Sequence, residues 1–375
     1  MGLNSRWIAA LGAGAIGLGA APAYVGAETG WRLTSSISEN LDVSDDGALS
    51  FTRVGVSAVT ETGRMRLGFN TGFGLSLGRG NNSASLPNLG VNFTLRGKRS
   101  SISTSADIDY QPITFLEEDE LDLTTTEETG IRRSIGASVR GNYELSPRLS
   151  TSLSASYRDV DYSDTSTALV PSQTTGLTWG LNYEAADDVT IAASLGARWF
   201  DADNDMNTSS FSVDSSVSAT YEATSRLSLT AGAGVSWARS QDDILGLRST
   251  TRSTALLLNG GVSYGLAHGT LRANVSQRVS PEAASGELTR FNALTIGYTH
   301  QLNQTTGLGL DLQVSDQKTI TTETSTTQFS ISPFVTWELL ENLEARLGYS
   351  FRRRDNDATS HRVTFFVRKV FETGL

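Results

Sequence analysis

The chain has 375 residues, a formal net charge of −10 and no cysteine. The missing cysteine excludes a disulfide framework and a thiolate metal site, and the acidic balance argues against a nucleic-acid partner. Apolar residues make up only 38% of a chain rich in Gly and poor in Pro, and no linker, charge block or shift in composition divides it. That profile suits strands facing water on one side better than a packed globule.

The first segment reads as an export signal. Arg6 gives a positive start, Trp7 to Ala21 is apolar and rich in Gly and Ala, and small residues follow at Ala21-Pro22-Ala23 and Val25-Gly26-Ala27. Cleavage after Ala27 makes 1–27 a signal peptide and 28–375 the mature domain. Nothing later could form a transmembrane helix, so any membrane the mature chain crosses is crossed by strands.

From there on, apolar residues recur at every second position, the period of a strand. In 64–77, Met65, Leu67, Phe69, Phe73, Leu75 and Leu77 share one face; Arg66, Gly68, Asn70, Gly72, Gly74 and Ser76 take the other. The same alternation gives about eighteen strands. They fall near 31–43, 50–60, 64–77, 89–97, 101–110, 131–143, 149–160, 175–184 and 189–200. The second half continues near 210–221, 227–238, 252–264, 270–279, 290–298, 306–316, 326–337, 343–352 and 360–371. Sixteen strands is the alternative, if 50–60 and 210–221 are not strands. Most segments reach the roughly 9–11 residues that cross a bilayer at a tilt.

The connections alternate in length. Those near 61–63, 97–100, 144–148, 185–188, 222–226, 265–269, 299–305 and 338–342 are short. Those between are longer, except the first, near 44–49. Short turns on one side and long loops on the other predict an all-β fold: an antiparallel transmembrane up-and-down β-barrel with both termini in the periplasm.

An aromatic recurs before the short turns. Tyr143-Glu144, Tyr183-Glu184, Tyr221-Glu222 and Trp337-Glu338 share one form, and Tyr264 and Tyr298 hold the same place without the Glu, at intervals of 34 to 43 residues. Tyr157, Trp199, Trp237 and Phe351 end the opposite strands. Two levels of aromatics on one apolar face predict a periplasmic and an outer interfacial girdle. In the last strand Val363, Phe365, Val367 and Phe371 alternate, interrupted by Lys369. A terminal strand of this kind is the element that barrel-assembly machinery reads.

Little here suggests catalysis. His268 and His300 fall in turns and His361 in the last strand on the lipid-side parity, with no nucleophile placed beside them. An enzyme needs a positioned base and nucleophile, so neither enzymatic activity nor a cofactor or metal is expected. The lumen face is where function would lie. Its predicted charged residues are Arg32, Arg66, Arg96, Asp107, Asp109, Arg140, Asp311, Arg346, Arg362 and Arg368, among Ser, Thr, Gly and Asn. Small side chains around about eighteen strands leave a water-filled lumen. Such charges either select solutes by a transverse field or are wall charges paired with neighbours.

Two further features concern the outer side. The loop 111–130 is acidic (Glu117, Glu118, Asp119, Glu120, Asp122, Glu127, Glu128) and either folds into the pore or stands as a solvated loop. Arg158, Arg198, Arg239, Arg278, Arg352, Arg353 and Arg354 sit where strands leave the membrane, as partners for outer-membrane lipid and lipopolysaccharide phosphates or for loop carboxylates.

The segment Ile37-Ser38-Glu39-Asn40-Leu41-Asp42-Val43-Ser44-Asp45-Asp46-Gly47 resembles the opening of a family of Gram-negative outer-membrane β-barrel porins. The hairpin Tyr143-Glu144-Leu145-Ser146-Pro147-Arg148-Leu149-Ser150, running on to Tyr157-Arg158-Asp159, is similar to that family too. The resemblance implies an outer-membrane barrel without catalytic residues. The function expected from residues and resemblance together is passive diffusion of small hydrophilic solutes. The alternative is a non-conducting structural or surface-interaction barrel, a partner in adhesion or polysaccharide export.

Overall fold

The computed structural model describes residues 30–44, 47–78, 83–113, 130–163, 169–204, 207–244, 247–281, 288–320, 325–355 and 359–374. The predicted signal peptide and the acidic residues from Glu117 to Glu128 lie outside them. The first strands are β1 (Trp31–Ser44), β2 (Gly47–Glu61), β3 (Met65–Gly78), β4 (Ser83–Arg96), β5 (Ser100–Pro112) and β6 (Ile131–Ser146). The next six are β7 (Leu149–Ser163), β8 (Ser172–Ala186), β9 (Val189–Ala202), β10 (Ser209–Thr224), β11 (Leu227–Ile244) and β12 (Leu247–Leu266). The last six are β13 (Gly269–Pro281), β14 (Leu288–Gln301), β15 (Thr306–Thr319), β16 (Ser325–Leu340), β17 (Leu343–Arg354) and β18 (Thr359–Gly374).

Every strand pairs antiparallel with the next, and β18 pairs back onto β1, so the eighteen described strands close a barrel. Closure leaves no edge with unpaired backbone groups, the condition for strands to cross lipid. The two segments on which a count of sixteen turned are both strands. Alternation is blurred in β2 because its inward positions include Leu49, Phe51 and Val59, and in β10 because Ser and Thr occupy both faces. The connection expected at 44–49 shortens to two residues, since Ser44 already pairs with Gly47. His300 lies in β14 rather than in the turn.

The register assigns every side chain a face. Arg53 of β2 reaches Asp109 of β5 with two strands between them, which only the concave inner face allows. Positions in step with Arg53 therefore point inward, and the alternate ones outward. Outward lie Ile37, Val56, Leu153, Leu195, Val217, Leu256 and Val275, each 48–56% exposed in the isolated chain. Apolar exposure on that scale, continued around a closed barrel, is a lipid-facing band. Two acids on this face have hydrogen-bond partners. Glu39 accepts hydrogen bonds from Ser50 and Thr52, and Asp316 accepts from Asn292 at 3.1 Å and Thr327 at 3.4 Å.

The Tyr-Glu repeat has a structural cause. At each of the four hairpins with aromatic-Glu the ladder shifts register by one residue, between Glu144 and Ser146, Glu184 and Ala186, Glu222 and Thr224, and Glu338 and Leu340. Such a shift is a β-bulge. The hairpins after Tyr264 and Tyr298, which lack the Glu, lack the shift. In five of the six, the backbone N–H after the aromatic donates to a carbonyl of the preceding short turn, as Glu144 does to Arg99 at 2.8 Å; in the Tyr298 hairpin Gln301 makes that bond, to His268. The aromatic thus marks where one hairpin hooks onto its neighbour.

Glycines on the inward face seat larger neighbours. A Cβ on Gly309 would stand 2.0 Å from the Phe334 ring, and one on Gly74 would stand 2.4 Å from the Phe51 ring. We expect Gly309→Ala to destabilise the barrel by about 1–3 kcal/mol through overpacking. Adding Phe334→Ala should recover most of that loss, a coupling that a double-mutant cycle in urea would measure.

Candidate functional site

The lumen is the candidate site. All ten charged residues expected to line it lie on the inward parity. Several are engaged. Arg53 holds Asp109 at 2.9 Å, Arg362 holds Asp42 at 3.1 Å, Arg96 lies 3.5 Å from Glu61, and the Arg346 guanidinium sits 3.9 Å from the centroid of the Phe334 ring. Arg32, Arg66, Arg140 and Arg368 are exposed, and their side chains pair with no carboxylate among the described residues. The wall is therefore part neutralised and part free charge.

Exposure differs along the axis. Near the periplasm, Arg66, Arg96, Arg140, Asn142 and Arg368 are open to solvent. Near the outer rim, inward residues are packed away: Asp42, Ser76, Ser236, Ala238, Ser315 and Gln328 are at most 1% exposed. Part of the cause is two hairpins that leave the wall. β5 stops pairing with β4 at Asp109, while β4 continues to Ser83 against β3. Tyr110 and Ile131, of outward parity, then pack on Phe51 and Leu86, which point inward. Likewise β13 stops pairing with β12 at Gln277, while β12 continues to Leu247 against β11. There Val279 and Leu288 pack on the inward Ala238, with Ala255 and Ile320 against them. β5 and β13 are eight strands apart in the ring of eighteen, so the two hairpins lean in from nearly opposite walls.

The outer arginines divide by parity. Arg158, Arg198, Arg278, Arg352 and Arg354 point into the lumen; only Arg239 and Arg353 point outward. Arg158, Arg198 and Arg352 each adjoin an outward aromatic (Tyr157, Trp199, Phe351), and one residue reverses the face. Parity alone could have found this. Arg53 and Phe51 were not signalled, because their partners come from a hairpin that leaves the regular wall.

The aromatics expected at the girdles all lie on the outward parity. Tyr143, Tyr183, Tyr221, Tyr264, Tyr298 and Trp337 stand at the periplasmic rim, and Tyr157, Trp199 and Trp237 toward the outer rim. Phe211 joins the latter, its ring 5.1 Å from Trp199 and 6.1 Å from Trp237. Trp179 also faces outward and donates its indole N–H to Thr151 at 3.0 Å.

Residues 71–268 match the family described as "Protein of unknown function, DUF481". No curated protein matches the chain. Among solved structures it is similar to OpdK of Pseudomonas aeruginosa, crystallised with vanillate, at 12% identity and a TM-score of 0.57, covering 92% of this chain and 99% of that one. OccAB4 of Acinetobacter baumannii is 8% identical at a TM-score of 0.56, over 92% and 99% of the two chains. OccK5 of P. aeruginosa is 12% identical at 0.54, over 92% and 98%. At such identities the likeness is one of fold: a closed eighteen-strand outer-membrane barrel.

Proposed function

We propose that this chain, which belongs to the DUF481 family, is a passive diffusion pore for small hydrophilic solutes in a bacterial outer membrane. The observation that supports this best is the inner face. It is built from Ser, Thr, Gly, Asn and unpaired charges, and it is open to solvent over its periplasmic part. Polar side chains facing an apolar-coated tube would have no use in a sealed wall, whereas they hydrate a channel. The inward hairpins make it a narrow one. Purified protein in planar bilayers should give small stepwise conductances. A consistently silent membrane would favour a non-conducting structural or surface-interaction barrel, the reading that the buried outer end supports.

Lipopolysaccharide phosphate is the proposed partner of the outward Arg239 and Arg353, since guanidinium pairs with phosphate in forked geometry. Arg239→Ala with Arg353→Ala should weaken lipopolysaccharide co-purification; unchanged lipid content would remove this contact. Phe371 is the last apolar residue in the outward row of β18 and supports the reading that assembly machinery recognises this strand.

A further inference from the structure

Beside the free path lies a recess in the inner wall of β5 to β10, of about 510 Å³. Its floor is low because Gly136, Gly176 and Gly196 fall on β6, β8 and β9, each one step further toward the periplasm; the Asp107 carboxylate leans over Gly136 and the Ser156 hydroxyl over Gly176, while Gly196 is open. Around it stand hydroxyls, among them Ser105, Ser138 and Thr178, and four charges: Asp107, Arg158, Arg198 and Asp214.

The charges are arranged in two unmated pairs. Asp107 and Arg158 sit on either side of Gly136 in one cross-strand row, since Gly136 pairs with both. Two strand spacings, about 9.6 Å, separate their backbones. Arg198 and Asp214 are diagonal neighbours on adjacent strands, as Arg198 pairs with Ser212 and Gly196 with Asp214. Diagonal neighbours are within reach of long side chains. Yet none of the four makes an ion pair among the described residues, and Asp214 Oδ1 is buried without a hydrogen-bond partner. Elsewhere on this wall opposite charges meet, as Arg53 and Asp109 do. Opposite charges held apart over a glycine floor rimmed by hydroxyls are complementary to a ligand that carries both signs.

We propose that this recess is a binding subsite for small zwitterionic solutes, with an ammonium on Asp214 or Asp107, a carboxylate on Arg198 or Arg158, and the body of the solute over the glycine floor. This deepens the diffusion-pore reading and rests on it for its physiological role, but binding can be tested without conduction. The probe is the dipeptide glycylglycine, titrated calorimetrically into detergent-solubilised barrel, with acetate and ethylammonium as single-charge controls. Glycylglycine should bind measurably and each control at least tenfold more weakly. Asp214→Asn and Arg198→Gln should each weaken the dipeptide at least tenfold. Gly196→Val is the uncharged test. A Cβ there meets Thr178 and Leu177 only at 3.8–3.9 Å, so the fold tolerates it while the floor is filled. It should abolish binding with an unchanged melting temperature.

Equal binding of dipeptide and controls, no binding by the wild type, or binding unaffected by Gly196→Val would overturn the proposal. Dipeptide binding alongside a silent bilayer would leave the subsite standing and remove the pore.

Discussion

Placing arginine at Val217 should destabilise the barrel by about 2–4 kcal/mol, the cost of a cation on the lipid face near the bilayer midplane. Placing it at Ser218, one residue on, should cost no more than about 0.5 kcal/mol. Val217 lies mid-strand in β10, opposite Ala193 and Ala233, and is 56% exposed where lipid would cover it. Ser218 lies opposite Ala192 and Gly232 on the water-facing wall, where guanidinium stays hydrated. The pair isolates the face assignment because the introduced side chain and the mid-strand location in β10 are shared. Urea unfolding in lipid vesicles is the measurement. Equal costs at the two sites, or a larger cost at Ser218, would reverse the assignment of faces for β10 and, through the continuous ladder, for the whole barrel.

The barrel was legible in the sequence because membrane strands are repetitive. A lipid-facing row and a water-facing row must each keep their character along β3, β9 or β11, so the period of two survives in the residues themselves. Strand ends were less legible. β11 and β12 run to Ile244 and Leu247, where alternation no longer has lipid to answer to. The ten charged lumen positions were readable from parity alone, and so was the inward direction of Arg158 and Arg198, each one residue from an outward aromatic. The outer packing was not. Tyr110, Ile131 and Val279 keep the outward parity of their strands, yet they touch inward residues because their hairpins leave the wall. Nothing local marks that departure; it depends on where β4 and β12 stop pairing with them. The unmated charges of the β5–β10 recess needed the register of six strands at once.

Those two hairpins predict the second large effect. Phe51→Ala removes a ring that is 6% exposed, seated over Gly74 and against Leu86 and Ile131, and should cost about 3 kcal/mol. Leu288→Ala on the opposite side, where the side chain is 1% exposed, should cost about as much. The sites share no partners, so their stability costs should add to within about 0.5 kcal/mol. Conductance should behave otherwise. Each hairpin narrows the same outer opening from its own side, so releasing one leaves the other in place, and the double variant should conduct more than the summed gains of the singles. Asp109→Asn offers a gentler release. The Arg53–Asp109 pair is more than a quarter exposed on both sides, so its loss should cost less than about 1 kcal/mol while freeing the β5–β6 end. Bilayer recordings of the four proteins would decide. An intact double variant with wild-type conductance would mean that the hairpins do not set the width of the path.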